Sequence, residues 1–284
     1  MTRSKNKILD IQKLKKQSKP FATITAYDFP TAKIINTLNI PLVLVGDSAS
    51  MVVYGYQDTT PISMEEMLLI TKAVARGIDN ALLVGDMPFM SYQPSVELAI
   101  INAGKFIKVG GVDAVKLEGG IEYIKQIEGI LKAGVPVMGH VGLKPQSVLI
   151  ESGYRVQGKT AQSALKIFKD ALALQKAGVF AIVLEGVPED LAQIITDKLT
   201  IPTIGIGAGR FCDGQIQVFH DVVGLLEAPP PKHAHAYINS YKTIMGGLQE
   251  YQRGVIQKIF PENKNIIKMD KNELIELKKK IDRL

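Results

Sequence analysis

The sequence predicts a (β/α)8 TIM barrel with an N-terminal capping helix and a C-terminal helical extension. Three observations carry this reading. Eight short runs rich in Val, Ile, Leu and Ala recur along the 284 residues. Each run is nearly continuous in apolarity, as strands buried on both faces of a parallel sheet are. Amphipathic segments of helix length lie between them, so strand and helix alternate. A doubly wound open sheet is the competing architecture, but it needs a chain reversal and usually fewer strands.

Taken in order, residues 8–17 make a helical segment ahead of the first strand, placed to close the barrel bottom. The strand candidates are residues 21–27, 41–47, 81–87, 114–119, 136–142, 181–187, 202–209 and 221–226. Helices are expected over 63–77, 95–109, 121–133, 160–177 and 189–199, with Gly77, Gly110, Gly134 and Gly178 where a C-cap belongs. No linker divides the chain, and the proline run at 229–231 reads as a loop after the eighth strand. Residues 1–263 are therefore assigned to one barrel domain and 264–284 to a C-terminal helical extension. In that extension Asp270 can cap a helix, with Glu273 at capping-box spacing. Leu274, Leu277, Ile281 and Leu284 form one apolar stripe, which must pack on its own subunit or on a neighbour.

Hydrophobic residues make up 46% of the chain and charged residues 22%, which suits a large core and excludes disorder of the whole. Cys212 is the only cysteine, so no disulfide framework exists. No run approaches the roughly 20 apolar residues of a membrane helix. The basic start lacks the apolar core of a secretory signal, and a cytoplasmic location is expected. The net charge of +6 is carried by the ends: residues 1–19 net +6 and 264–284 net +3, leaving a body of about −3. A nucleic-acid binder concentrates positive charge on a folded face. The ends therefore read as solvated helices, and neither nucleic acid nor a membrane is an expected partner.

Barrel active sites lie at the C-terminal ends of the strands. Asp28, Asp47 and Asp86 end the first three strand candidates. Lys116 and Glu118 end the fourth, His140 the fifth and Glu185 the sixth, while the seventh ends in Gly205, Gly207 and Gly209. Polar groups thus converge on one rim of an apolar barrel. Burying several carboxylates together is costly unless a cation offsets them. The ligands on offer are oxygens with a single histidine, a set that suits Mg²⁺ rather than Zn²⁺. Asp47 and Asp86 would be direct ligands and Glu118 an outer or water-bridged one.

Each residue also has a plainer role open to it. Asp47 and Asp86 could cap the helices that follow; with Glu118 and Glu185 alongside, the metal reading is preferred. His140 could be structural or functional. Lys116 could simply pair with Glu118, but both point to the same side of one strand, so they can share a site. The glycine run resembles a phosphate loop only weakly and can serve as tight backbone near a substrate. Asp28 reads as structural.

At these motifs the chain resembles the ketopantoate hydroxymethyltransferase family, from about residue 8 to 261. The segments are Phe-Ala-Thr-Ile-Thr-Ala-Tyr-Asp (21–28), Leu-Val-Gly-Asp-Ser (44–48), Asp-Met-Pro-Phe-Met (86–90) and Val-Lys-Leu-Glu-Gly-Gly (115–120). They continue with Gly-His-Val-Gly-Leu-Lys-Pro-Gln-Ser (139–147), Gly-Tyr-Arg-Val-Gln-Gly (153–158), Ile-Gly-Ile-Gly-Ala-Gly (204–209) and Asp-Gly-Gln (213–215). The resemblance implies transfer of a one-carbon unit from 5,10-methylenetetrahydrofolate to 3-methyl-2-oxobutanoate, giving 2-dehydropantoate on the route to pantothenate. It also implies that Asp47 and Asp86 ligate the metal and touch substrate, with Glu118 an outer acid. Ser48, Lys116 and His140 match substrate-binding positions and Glu185 the catalytic base. A 2-oxo acid can chelate Mg²⁺, which stabilises the enolate that attacks the folate's one-carbon unit. Homo-oligomers, decamers in bacteria, are a further implication.

Departures are few. Gly186 stands where the family often has Cys, His233 to His235 replace a Phe-containing stretch, and residues 270–284 extend past the usual end. Two other readings compete. One is a Mg²⁺-dependent lyase or mutase of the isocitrate lyase–phosphoenolpyruvate mutase type, which usually presents a catalytic cysteine or extra loop acids. The other is a nucleotide- or RNA-binding module, which leaves the ring of carboxylates unexplained.

Overall fold

The computed structural model describes residues 5–150, 153 and 155–284; Tyr154 of the 153–158 motif lies outside them. Eight parallel strands close into a barrel in sequential order. The chain runs α1 (Ile8–Lys16), β1 (Phe21–Thr25), α2 (Phe29–Asn36), β2 (Leu42–Val45), the short α3 (Ala49–Val52), α4 (Met64–Ala75), β3 (Leu82–Asp86) and α5 (Val96–Lys105). It continues through β4 (Ala114–Lys116), α6 (Ile124–Lys132), β5 (Val137–Gly142), α7 (Ala161–Ala177), β6 (Ala181–Glu185) and α8 (Glu189–Lys198). The last elements are β7 (Thr203–Ile206), β8 (Gly214–Gln217), the short α9 (Phe219–Val222), α10 (Ser240–Ile256) and α11 (Lys271–Ile281).

Two apolar clusters explain the strand composition. Leu42, Leu44, Leu82, Val84, Ala114, Met138, Val183 and Ile204 fill the barrel interior. Alternate residues such as Val43, Leu83, Val115, Val137 and Ile182 join the shell beneath the helices. Both faces are dry, so the strands carry no polar alternation. Two glycines permit close packing. A Cβ on Gly85 would lie 2.5 Å from the Phe106 ring, and one on Gly77 would lie 2.5 Å from Ala32 Cβ. Gly178 and Gly134 take the left-handed C-terminal conformation, whereas after α5 Gly111, not Gly110, does so. A π-helical turn, Phe106–Gly110, extends α5 by the extra residue.

The bottom is closed as expected. Ile11 of α1 is fully buried in the interior cluster, flanked by Ile8 and Leu14. Lys15 pins the helix in place, donating to the Thr196 carbonyl at 2.8 Å and to Asp213 Oδ2 at 2.9 Å. The same Asp213 oxygen accepts from the Thr203 amide at 2.8 Å.

The last strand is corrected. The eighth strand is Gly214–Gln217, not residues 221–226, which hold α9 and turns. Gly214 and Ile216 face inward while Gln215 is exposed and Gln217 half-buried, because no helix among the described residues covers that strand. A one-faced strand alternates, and the apolar-run criterion passes over it. For the same reason one unit departs from strict alternation: β7 reaches β8 through a loop. At the C-terminus Asp270 caps α11, accepting from the amides of Asn272 and Glu273. Leu274, Leu277, Ile281 and Leu284 remain 41%, 40%, 56% and 107% exposed, so the stripe does not dock on its own subunit. No helix among the described residues is long and apolar enough to cross a membrane.

Replacing Ile11 by Ala removes the central bottom contact of the barrel. Urea unfolding should show a loss of about 2–5 kcal/mol; a change within experimental error would mean that α1 contributes little to the interior.

Candidate active site

The inward-facing positions of the strands rise from hydrocarbon to charge. On β3 they run Leu82, Val84, Asp86; on β4, Ala114 and Lys116, then Glu118. On β5 they are Met138 and His140, and on β6 Val183 and Glu185. The two-residue period of a strand puts all of these on one face. Parallel register sets them side by side, with Asp86 opposite Lys116 and His140 opposite Val183. Asp86, Lys116, Glu118 and His140 are each less than 5% exposed, and Asp47 is 5% exposed.

Charge balance governs the arrangement. Lys116 Nζ donates to both Asp86 oxygens, at 2.9 and 2.8 Å, and stands 3.9 Å from Glu118 Oε1. The Asp47 amide donates to Asp86 Oδ2 at 3.2 Å. Burial alone would lower the Lys116 pKa, but Asp86, Glu118 and Asp47 outweigh it and hold the ammonium above the usual lysine range. Burial pushes Asp86 up to about 7 against the pull of Lys116, with the charge of Asp47 adding to the rise. Burial likewise raises Glu118 well above an ordinary carboxyl.

His140 is held neutral by burial, with Lys116 adding to the effect. Its Nε2 lies 2.8 Å from the Leu143 carbonyl, an acceptor, which assigns the proton to Nε2. Its Nδ1 and Glu118 Oε1 are buried without hydrogen-bond partners among the described residues and face each other at 3.6 Å. Glu185 Oε2 is 3.5 Å from His140 Nε2. Ser48 Oγ and Tyr27 Oη share a 2.7 Å hydrogen bond.

The structure thus brings Asp86, Lys116, Glu118, His140 and Glu185 together on the rim, with Asp47 and Ser48 beside them. Helix capping does not explain the aspartates. Ser48 occupies the N-cap of α3, Asp86 lies within β3, and Asp47 Oδ2 accepts from Gln146 Nε2 at 2.9 Å. Asp28 is the helix cap, accepting from the Thr31 amide at 2.7 Å and hydroxyl at 2.9 Å. Gly205–Gly209 is tight backbone: Gly207 has φ of 60° and packs against His233. Among the described residues no three His, Cys, Asp or Glu side chains close on a common point as a complete metal cage. Sequence reasoning missed Tyr27, Tyr92 and Gln146 as neighbours of the site. Gln146 lies within the quoted 139–147 motif, but only the folded loop shows where its side chain goes.

The family model described as ketopantoate hydroxymethyltransferase matches residues 5–263. A 3-methyl-2-oxobutanoate hydroxymethyltransferase of Dehalococcoides mccartyi (strain CBDB1) is 49% identical over 272 residues, spanning 96% of this chain and 98% of the relative. One of Clostridium beijerinckii is 46% identical over 273 residues, spanning 96% and 99%. Among solved structures, phosphonopyruvate hydrolase in complex with oxalate and Mg²⁺ is similar, with a TM-score of 0.60, 14% identity and coverage of 98% and 96%. So is 2,3-dimethylmalate lyase of the PEP mutase/isocitrate lyase superfamily, with a TM-score of 0.57, 12% identity and coverage of 97% and 93%. Those two likenesses are of fold. The match along nearly the whole chain is of family, and the chain belongs to the ketopantoate hydroxymethyltransferase family.

Proposed function

We propose that this enzyme transfers a hydroxymethyl group from 5,10-methylenetetrahydrofolate to 3-methyl-2-oxobutanoate, giving 2-dehydropantoate, with Mg²⁺ as its metal. The observation that carries the reading is the ring of buried carboxylates, lysine and neutral histidine on one barrel rim, in a chain whose relatives bear that enzyme's name over their full length. The lyase or mutase alternative is not favoured, since it rests on likeness of fold.

The residues fit Mg²⁺. Asp47 and Asp86 are joined through the Asp47 amide, and Glu118 Oε1 is a buried oxygen with no hydrogen-bond partner among the described residues. The donors are hard oxygens, and Mg²⁺ commonly takes one or two carboxylates and fills its shell with water and substrate. Asp47 and Asp86 would hold it, with Glu118 as an outer acid. When bound, the ion supplies the Lewis-acid charge that makes the carbon beside a keto group more acidic.

The chain's own groups do the rest. The Lys116 ammonium gives the substrate carboxylate a counter-charge, and Ser48 offers a hydroxyl anchored by Tyr27. Glu185 takes the C3 proton of the keto acid. Neutral His140 sets its Nε2 3.5 Å from Glu185 Oε2 and adds no second buried cation to that of Lys116. C3 then bonds to the folate's methylene carbon, one of whose two C–N bonds has opened to give the iminium; water replaces the second nitrogen, supplying the hydroxyl oxygen and releasing tetrahydrofolate. No covalent link to the enzyme is needed.

We also infer a homo-oligomer, of the decameric kind that the family resemblance implies. Helix α10 has no buried residue, and Ile244, Leu248 and Tyr251 are 51%, 63% and 59% exposed. No helix among the described residues covers the β1–β8 pair, where Ala22 and Gln215 are exposed. A second copy of the chain would cover apolar surface that is otherwise an association hazard.

Asp47→Asn and Asp86→Asn should each abolish Mg²⁺-dependent formation of 2-dehydropantoate, followed by NMR, with the fold intact by circular dichroism. Wild-type turnover at limiting Mg²⁺ would remove that residue from the metal site. Glu185→Gln should keep keto-acid and Mg²⁺ binding but lose solvent deuterium exchange at C3 by about 10²–10⁴-fold, the usual worth of a general base. Near-normal exchange would pass the role to His140. Sedimentation should give a multiple of the monomer mass, reduced by Ile244→Asp with Leu248→Asp; a monomeric wild-type chain would overturn the assembly.

A further inference from the structure

Gln146 lies in a 3-10 turn, Pro145–Ser147, in the loop after β5, and is 4% exposed. Its amide N–H donates to Glu118 Oε2 at 3.1 Å. Its side-chain Nε2 donates to Asp47 Oδ2 and to the Met87 carbonyl, both at 2.9 Å. Its Oε1 accepts from the Tyr92 hydroxyl at 3.0 Å and from Gln93 Nε2 at 3.2 Å. A carboxamide has two donor hydrogens and two acceptor lone pairs, and here all four are engaged. That settles the orientation of the group, because a flipped amide would press its oxygen against a carboxylate and a carbonyl.

Tyr92 completes the frame. Its hydroxyl has one proton, shared between Gln146 Oε1 and the Glu118 carbonyl, both at 3.0 Å, and it accepts from the Glu118 amide at 3.2 Å. The ring is buried and stands edge-on to Tyr123, with 5.3 Å between centroids. One glutamine therefore links the ends of three strands: Asp47 after β2, Met87 after β3 and Glu118 after β4.

We propose that Gln146 is the positioning residue of this carboxylate cluster, fixing Asp47 and Glu118 relative to each other so that the site is shaped for a divalent cation before one arrives. The inference rests on the Mg²⁺ reading above. A donor on Asp47 has two opposed effects. It draws charge from the carboxylate, which weakens its hold on a cation. It also removes rotational freedom that binding would otherwise have to freeze. Groups that orient metal ligands usually act by the second route, and losing one typically costs 10–100-fold in metal affinity or activity. Gln146 engages both acids at once, so the ordering effect should win.

The test uses Mn²⁺ as the probe, its free concentration read by electron paramagnetic resonance against the full-length protein. Gln146→Met keeps the volume and removes every side-chain hydrogen bond. Its Kd for Mn²⁺ should rise about 10–100-fold, with the far-UV circular dichroism unchanged. A folded Gln146→Met chain that binds Mn²⁺ within twofold of wild type overturns the inference. If that variant fails to fold, Tyr92→Phe decides, because it removes only the hydroxyl behind Gln146 and Glu118. Its Kd should rise in the same direction by a smaller factor, and an unchanged Kd there also overturns the inference. The metal reading has a separate control: Mn²⁺ binding indifferent to Asp47→Asn would sink that reading, and the positioning role with it.

Discussion

The contact between the Lys116 ammonium and the Asp86 carboxylate is the interaction on which the rest of the site depends. An apolar barrel that admits Asp47, Asp86, Glu118 and Glu185 at one rim faces a large desolvation cost. One buried ammonium, hydrogen-bonded to both oxygens of a single carboxylate, offsets part of it. The remaining negative charge is what the site has to spend on a cation or on a protonated partner. The rise of Glu118 and the neutrality of His140 follow from the same balance. Removing Lys116 would leave Asp86 buried without its counter-ion, a change far more damaging than loss of one surface ion pair.

Much of this was legible in the sequence, for a reason particular to barrels. Strand interiors must be dry, so an ionisable residue at the end of an apolar run has one place to go. That logic places Asp86, Lys116, Glu118, His140 and Glu185 on one rim, and in the fold the register sets Asp86 beside Lys116 while Glu118 and His140 are buried with them. It also gave seven strands close to their observed bounds. The roles of these residues came from family resemblance and chemistry, not from position.

Where legibility failed, a missing partner was the cause. β8 alternates Gly, Gln, Ile, Gln, with no helix among the described residues over its outer face, so it makes no continuous apolar run. Gln146 and Tyr92 reach the site across turns whose path no periodicity encodes. The apolar stripe of α11 is legible in the sequence, whereas its partner is not: beside its own barrel it stands exposed.

The seal at the barrel floor has its own consequence. Ile11 and the Lys15 anchor cover the lower end beneath a barrel filled with apolar side chains, so the carboxylates are approached from the upper rim. A floor held by one isoleucine and one lysine thereby turns the chemistry toward one end of the barrel.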